Sequence, residues 1–387
     1  MLRKNNRKIC GMVYAFCFYT SLMLFQTPVA NMGTIGAFGS MMLVLVVAVF
    51  GGKTELTKFR GSYETALLFG YVILFFCTSL GHGRSIGLLV KTMALILFSL
   101  FITGTCVTKH EELLIRKTFQ WSTFVYAVLI IRSCLLAGDD RYHHGDIMLF
   151  GTNFDPNFIG LPLVSASVLF LDEILRKDRK LLNAAAFATI VVAILYTSSR
   201  GNMLCLSIGV IGCFLLYLNN RSVSIGKKFA WIVFILLAAP VVLKLIIEFF
   251  PDHWARMTDF GEGADNGRLD NWSRALQMFV RSPIWGNGYL AMSIGGLHVA
   301  HNTYLALLCE TGLMGFILYA SFLCRLFIKA YRYDRILAVM LFSMYVQMAF
   351  LDTISNRPVW AVLGWMILLP KSKESVIRKP VNIYLNH

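Results

Sequence analysis

Long apolar runs separated by short polar segments dominate this chain of 387 residues. Runs of about 17 or more apolar residues can each cross the ~30 Å hydrocarbon core of a bilayer as a helix. Because a helix satisfies its own backbone hydrogen bonds inside lipid, the pattern predicts an all-α polytopic membrane protein with about twelve transmembrane helices. The predicted spans lie near 9–29, 32–50, 64–81, 86–107, 119–137, 147–171, 181–198, 201–218, 229–249, 300–324, 336–353 and 357–370.

The polar segments between the spans predict the orientation of the chain. Alternate loops and the two termini hold 25 of the 36 Lys and Arg residues. Because cytoplasmic loops are enriched in Lys and Arg, both termini are predicted to be cytoplasmic. The chain then divides into a nine-span bundle (1–249), a large extracytoplasmic loop (250–299) and a three-span part (300–387), all within one integral membrane domain.

Composition excludes two classes of protein. The chain is 57% hydrophobic and 15% charged, whereas soluble domains have roughly 45–50% apolar and ~25% charged residues. The net charge of +15 does not indicate nucleic-acid binding, since the basic residues form short clusters between spans and no basic face with interleaved aromatics is present. Nine scattered cysteines without a Cys-x-x-Cys pair predict neither a disulfide framework nor a metal site.

The large loop contains one stretch with a helical pattern, starting at Arg268. Its apolar residues recur at helical spacing, whereas Arg268 and Arg274 fall on the opposite side. The pattern predicts an amphipathic helix at the outer membrane interface, with Trp272 at the level of the headgroups. Arg268 at the helix N-terminus suits an anion such as a phosphate; the alternative is a surface helix that only fills the loop. The apolar positions are Leu269, Trp272, Leu276, Phe279 and Val280.

A histidine and two glycines mark the predicted span that follows this loop. On an ideal helix Gly312 is three turns after His301 on the same face, and Gly315 is near it. Such a stripe would let another helix or a lipid chain approach closely. An imidazole has the intrinsic pKa of a general base near neutral pH. The ordinary alternatives are an interfacial histidine and simple helix packing.

Two further polar segments lie at predicted outer ends of spans. Arg200 in Ser198–Gly201 lies away from the basic side, which predicts either a second clamp for an anionic substrate or a snorkelling cation. Asp155 and Asn157, on either side of Pro156, are costly near the membrane unless they cap a helix, pair or bind.

Together these segments resemble the O-antigen polymerase and O-antigen ligase superfamily of bacterial membrane glycosyltransferases. The ligase motif of His, Asn, nine residues, Gly, two residues and Gly is matched in full from His301 to Gly315. The Gly267–Tyr289 stretch resembles the loop arginine of the family and its Pro–Gly-x-Gly segment. The Ser198–Gly201 and Asp155–Asn157 segments resemble its earlier motifs.

The resemblance implies inverting glycosyl transfer without a metal or other cofactor at the outer face of the bacterial cytoplasmic (inner) membrane. The implied donor is an oligosaccharide linked to undecaprenyl pyrophosphate, and the acceptor is a glycan or lipid-anchored hydroxyl. A chain-length regulator is a further candidate partner. The predicted catalytic residues are His301, Arg268 and Arg200. The predicted substrate-binding residues are Asn302, Arg274, Asp155, Asn157, Gly312 and Gly315.

Several functions remain open at this stage. A polymerase of O-antigen, capsule or exopolysaccharide repeat units is favoured, and a ligase that transfers the glycan to an anchor such as lipid A core is the alternative. A flippase for lipid-linked oligosaccharide would be expected to have internal repeats and a central cationic cavity, and neither is evident. A metal between His298 and His301 is not predicted, because no further ligand accompanies them. Glu310 is a secondary candidate, half a turn from the face of His301.

Overall fold

A computed structural model describes most of the chain as packed helices. The described residues are 10–24, 32–50, 63–103, 105, 107–137, 147–149, 152–176, 180–259, 267–294 and 299–370. The two termini, whose cytoplasmic location is predicted above, and His298 lie outside these ranges.

Fifteen helices and one two-stranded sheet form the described part of the chain. The elements are α1 (Gly11–Leu24), α2 (Met32–Phe50), α3 (Tyr63–Gly81), α4 (Ile86–Ile102), α5 (Lys109–Ala137), β1 (Ile147–Leu149), β2 (Thr152–Phe154), α6 (Pro156–Arg176), α7 (Lys180–Tyr196), α8 (Arg200–Leu218), α9 (Ile225–Phe249), α10 (Pro251–Thr258), α11 (Arg268–Arg281), α12 (Ala291–Ile294), α13 (Thr303–Tyr333), α14 (Arg335–Met348) and α15 (Arg357–Leu368).

The helices confirm the all-α membrane class. Six of them, α3, α5, α6, α8, α9 and α13, are long and apolar enough to cross a membrane. The other six apolar helices do not meet the same criteria over their described residues, although each coincides with a predicted span. The number of twelve spans therefore stays a prediction.

Two helices begin at residues other than those predicted for their spans. The span expected at 147–171 begins as an antiparallel hairpin in which Ile147 pairs with Phe154, and its helix begins only at Pro156. Proline is well tolerated in the first turn of a helix, where no donor is needed. The span expected at 300–324 is α13, which begins two residues beyond His301 and extends to Tyr333.

Helices from both sides of the large loop pack into one bundle. Helix α13 packs against α3, and α14 packs against α6 and α8. Small residues permit the close contacts, since a Cβ at Gly160 would lie 2.1 Å from the Asn202 side chain. Helix α9 lies at the periphery with no buried residue, and Trp231 links it to Phe214 and Tyr217 of α8. The bundle thus fixes the ends of α6, α8 and α13, where the predicted site residues lie.

Candidate functional site

Arg200 is positioned by a hydrogen-bonded connection between α6 and α8. Asp155 Oδ1 accepts hydrogen bonds from the backbone and side-chain nitrogens of Asn157, at 2.8 and 2.9 Å. Asn157 Oδ1 in turn accepts from the Ser199 hydroxyl at 2.7 Å, and Ser199 caps the N-terminus of α8. Because Arg200 is the first residue of α8, these contacts fix the start of its backbone. The two predicted polar segments, Asp155–Asn157 and Ser198–Gly201, therefore meet at the start of α8.

Asn202 extends this connection across the bundle. Its Nδ2 donates to the Pro156 carbonyl and to Thr197 Oγ1, both at 3.1 Å, and its Oδ1 accepts from Gln347 Nε2 of α14 at 2.5 Å. Asn202 is buried, so its amide needs these partners inside the bundle. Asn202 thus joins α14 to the connection between α6 and α8. The predicted substrate-binding residues Asp155 and Asn157 have a structural role in that connection, and their contact with substrate stays a prediction.

Three arginines form one cationic cluster at the start of α8. Arg200 Nη1 donates to the Asp259 carbonyl, just after α10, at 2.7 Å. Arg256, in the last turn of α10, interacts electrostatically with Arg200 and with Arg268 at the start of α11. Burial and these two like charges lower the pKa of Arg256. The two predicted arginines therefore lie near the same third cation, which the sequence analysis did not single out.

Helix α11 is held against the segment that carries His301. Trp272, one turn after Arg268, donates from Nε1 to the Ala300 carbonyl at 3.0 Å. On the same side of α11, Asn271 and Ala275 are buried. The Trp272 bond brings the start of α11, and with it Arg268, close to the residue that precedes His301. Trp272 thus has a protein partner, whereas the sequence analysis expected a headgroup location.

The predicted apolar face of α11 is largely exposed. Leu269, Leu276 and Val280 are exposed, at 63%, 45% and 72%. Arg274 is also exposed. Exposure of an apolar face suits a helix at a membrane interface, where lipid would cover these side chains. The interfacial location itself stays a prediction, as does a substrate contact of Arg274.

His301 lies before α13 and not within it. Its backbone φ is 47°, an uncommon value for a residue other than glycine. Asn302 is the N-cap of α13, and its Oδ1 accepts from the backbone nitrogens of Tyr304 and Leu305 at 3.0 and 3.1 Å. The expectation that His301 and Gly312 share a face of one regular helix is therefore wrong. Residues other than glycine in such backbone conformations cluster at functional sites, so the conformation of His301 supports a functional hypothesis.

The helix is broken at Gly312, and the segment 283–288 fills the break. Gly312 has φ 64° and ψ −168° inside α13. The Asn287 and Gly288 backbone nitrogens donate to the carbonyls of Cys309 and Glu310, both at 2.9 Å, while the Leu313 nitrogen donates to Pro283 at 2.8 Å. These bonds replace helical bonds that the break removes. The Gly-x-Gly segment of the large loop thus pairs with α13 through backbone atoms.

The glycines at this junction are required by space as well as by conformation. A Cβ on Gly312 would lie 2.3 Å from the Ile284 carbonyl oxygen, and one on Gly286 would lie 2.4 Å from the Glu310 carbonyl oxygen. Gly286 and Gly288 both have φ 78°. At Gly312 the groove expected for a helix or lipid chain is therefore occupied by the loop itself. Binding of substrate by Gly312 and Gly315 stays a prediction.

Glu310 and Arg84 lock the end of this segment. The buried Glu310 carboxylate accepts from the Leu290 backbone nitrogen at 2.9 Å. Arg84, after α3, donates from Nε to the Tyr289 carbonyl at 2.8 Å. Glu310 also interacts electrostatically with Arg84 and with Asp352. Glu310 thus positions the loop, and the expectation that it does not contact His301 stays a prediction.

The connection between α14 and α15 closes the site beside His301. Thr303 Oγ1 donates to the Leu351 carbonyl at 2.6 Å and accepts from the Thr353 backbone nitrogen at 3.0 Å. Asp352 lies between these two contacts and is half-buried. The backbone of Asp352 is therefore held beside Thr303, which is two residues after His301. The sequence analysis missed it, because a single Asp after an apolar run has no distinctive spacing.

The arrangement brings the three predicted catalytic residues to one end of the bundle. Arg200, Arg256 and Arg268 supply positive charge, and the Trp272–Ala300 bond places His301 beside α11. A guanidinium cluster binds phosphates bidentately, and an imidazole accepts a proton near neutral pH. Among the described residues, no group of three or more His, Cys, Asp or Glu side chains is arranged to hold a metal ion.

Comparison with known proteins agrees with this arrangement. Residues 185–320, about a third of the chain, match the O-antigen ligase family (Wzy_C). The matched range contains Arg200, Arg256, Arg268, His301 and both glycines of α13. No curated protein matches the chain. The family match confirms the resemblance to the O-antigen polymerase and ligase superfamily over residues 185–320.

Proposed function

We propose that the protein is a glycosyltransferase that uses glycan linked to undecaprenyl pyrophosphate and joins glycan repeat units into a polysaccharide. The observation that carries this proposal is the cluster of Arg200, Arg256 and Arg268 beside His301, within the range that matches the O-antigen ligase family. The family and the apolar helices indicate an integral inner-membrane protein with lipid-linked glycan as substrate. The reaction, the catalytic residues and the topology belong to the proposal.

The arginine cluster binds the pyrophosphate of the donor. Burial lowers the pKa of Arg256, and the like charges of Arg200 and Arg268 lower it further, so an anion bound beside these guanidinium groups relieves the repulsion. Two negative phosphates also match the forked donor geometry of arginine. When the bond to the sugar breaks, negative charge grows on the leaving pyrophosphate, where fixed cations stabilise it without a metal.

His301 acts as the general base. The acceptor hydroxyl attacks the anomeric carbon of the donor sugar while its proton passes to the imidazole. The bond between that carbon and the pyrophosphate oxygen breaks, and the pyrophosphate keeps the electron pair. Attack from the face opposite the leaving group inverts the anomeric carbon. Holding His301 at a fixed corner before α13 keeps the base near the bond that forms.

The acceptor decides between two enzymes of the same chemistry. We favour a polymerase, in which the acceptor hydroxyl belongs to another lipid-linked repeat unit. A ligase would use a surface anchor such as lipid A core, and the match to the O-antigen ligase family supports that enzyme too. A flippase for the same lipid is the candidate of another class. The grouping of His301 and the arginines at one end of the bundle favours an enzyme over a flippase.

A glycan profile of the host tests the proposal. Surface and lipid-linked glycans would be compared between the intact gene, a deletion and His301→Ala, with immunoblots to verify equal amounts of protein. Single repeat units on the surface, with long chains lost in both mutants, would establish a polymerase that uses His301. Long glycan that stays on undecaprenyl pyrophosphate would establish a ligase. Single lipid-linked units trapped on the cytoplasmic leaflet would refute both enzymes and establish a flippase.

A further inference from the structure

A second basic site lies at the opposite end of the bundle from His301. A cavity of about 700 Å³ opens between the end of α8, the end of α6 and the connection between α13 and α14. Four arginines and one aspartate line it, together with asparagines, tyrosines and Leu216. Its charged lining residues are Arg176, Arg221, Arg332, Arg335 and Asp334.

The single aspartate of the cavity is already committed elsewhere. Asp334 Oδ2 forms an ion pair with Arg116 Nη2 at 2.8 Å, and Asp334 Oδ1 accepts from the Ile336 backbone nitrogen at 3.2 Å. Both oxygens thus have partners other than the lining arginines. The carboxylate therefore pairs with Arg116 and caps α14.

The four arginines differ in how firmly they are held. Arg176 pairs with Asp172 at 2.6 Å, and the Arg335 guanidinium lies 5.4 Å from the centre of the Tyr331 ring. Arg221 and Arg332 are exposed and form no ion pair among the described residues. Two arginines are thus held in place at the walls, and the other two present exposed side chains to a ligand. Such a set suits a phosphate, which accepts several charge-assisted hydrogen bonds.

Apolar surface continues from the cavity along the bundle. Leu216 lines the cavity, and Leu215 and Ile211 further along α8 are 62% and 58% exposed. Helix α9 beside them has no buried residue. A ligand with a phosphate head and acyl chains would place its head among the arginines and its chains along the exposed apolar side chains of α8. A soluble phosphate would use only the basic part.

We propose that this cavity binds the phosphate headgroup of an anionic phospholipid at the predicted cytoplasmic face. The headgroup contacts Arg221, Arg332 and Arg335, and its acyl chains run along α8 and α9. A general excess of Lys and Arg on the cytoplasmic side attracts anionic lipid without a defined site. A cavity instead binds a fixed number of lipid molecules and depends on its own arginines.

Native mass spectrometry of the full chain in detergent tests this assignment. Phosphatidylglycerol, and phosphatidylcholine with the same acyl chains, would be titrated and the bound lipids counted. The test variant is Arg221→Gln with Arg332→Gln. The control is Lys109→Gln with Lys227→Gln, which removes two exposed charges from the same predicted face but from outside the cavity. Thermal unfolding would verify that both variants fold.

We expect the first phosphatidylglycerol to bind more tightly than phosphatidylcholine, and the test variant to weaken its binding roughly tenfold or more. The control should retain the affinity of the unaltered chain. Equal loss in the two variants would indicate general surface attraction and would overturn the proposal. Displacement of phosphatidylglycerol by an equimolar amount of inorganic phosphate would assign the cavity to a soluble anion and overturn the lipid assignment.

Discussion

Replacing Gly312 by alanine should release the segment 283–288 from α13. The added Cβ would lie 2.3 Å from the Ile284 carbonyl oxygen and 2.7 Å from the Gly286 nitrogen, both of which belong to the backbone. Backbone atoms of a paired segment cannot turn aside as a flexible side chain does. The segment must therefore move, or α13 must change its conformation at the break.

The magnitude follows from conformation and hydrogen bonds. Gly312 has φ 64° and ψ −168°, a backbone region that essentially only glycine occupies, and holding an alanine there costs at least about 1–2 kcal/mol. Each backbone hydrogen bond between the segment and α13 that breaks costs about 1 kcal/mol more. With two bonds broken, the docked state loses about 3–4 kcal/mol. The undocked population then rises by a factor on the order of several hundred.

Alkylation of Cys309 reports this release directly. Cys309 is buried, and its carbonyl accepts hydrogen bonds from the Asn287 backbone and side-chain nitrogens, both at 2.9 Å. The Cys309 thiol lies 4.0 Å from Met278 Sδ of α11. Because the segment 283–288 directly follows α11, its release should loosen this cover and expose the thiol. The reaction of the folded protein with N-ethylmaleimide would be followed by mass spectrometry of the peptide that contains Cys309. We expect Gly312→Ala to accelerate labelling on the order of 100-fold.

Gly201→Ala is the matched control. Gly201 lies next to Arg200, and a Cβ there would make only ordinary contacts, the nearest being 3.6 Å from Phe350. The control should label at the rate of the unaltered protein. Unchanged labelling of Cys309 in folded Gly312→Ala would refute the claim that the break in α13 holds the loop. Equal acceleration in both variants would show that labelling reports general loosening.

Three further changes test individual contacts of the site. Arg268→Lys should lower kcat on the order of 100-fold, because the point charge of lysine does not replace the two parallel hydrogen bonds of a guanidinium. The control Arg281→Lys, at the exposed end of α11, should leave kcat unchanged. Near-normal transfer by Arg268→Lys would count against binding of the pyrophosphate by Arg268. Trp272→Phe keeps an aromatic side chain but removes the hydrogen bond to the Ala300 carbonyl. Transfer should fall roughly tenfold, with little change in thermal unfolding. Unchanged transfer would show that this bond does not position His301. Asn302→Ala should lower the free energy of unfolding by about 1 kcal/mol, because α13 loses its N-cap. Asn302→Ser keeps a capping side chain and should restore stability and activity. Loss of activity in both variants would indicate direct contact of Asn302 with substrate.

The sequence predicts the helices and the end of the bundle that carries the chemistry. The apolar runs overlap the helices because a membrane leaves the backbone few other choices. His301, Arg200 and Arg268 stand out because cations and an imidazole are unusual on the predicted outer side. Arg200 and His301 lie at the same end of the bundle because α8 and α13 both begin at that end.

The details that the sequence did not predict depend on contacts between distant segments. The break at Gly312 arises from pairing with the segment 283–288 of the preceding loop, which helical periodicity does not encode. Arg256 gains its place only because α10 ends beside Arg200. The hairpin that begins at Ile147 is short and apolar, so its pattern is indistinguishable from the start of a span.

Transfer by the purified chain tests the central claim most directly. The protein would be reconstituted in vesicles with an undecaprenyl-pyrophosphate-linked glycan and acceptor, with and without a metal chelator, and release of undecaprenyl pyrophosphate would be measured beside glycan elongation. We predict that the unaltered chain releases undecaprenyl pyrophosphate as the glycan lengthens, with the chelator present, and that His301→Ala retains donor binding but loses both products. Full transfer by His301→Ala, or movement of the lipid across the vesicle membrane without release, would contradict the account.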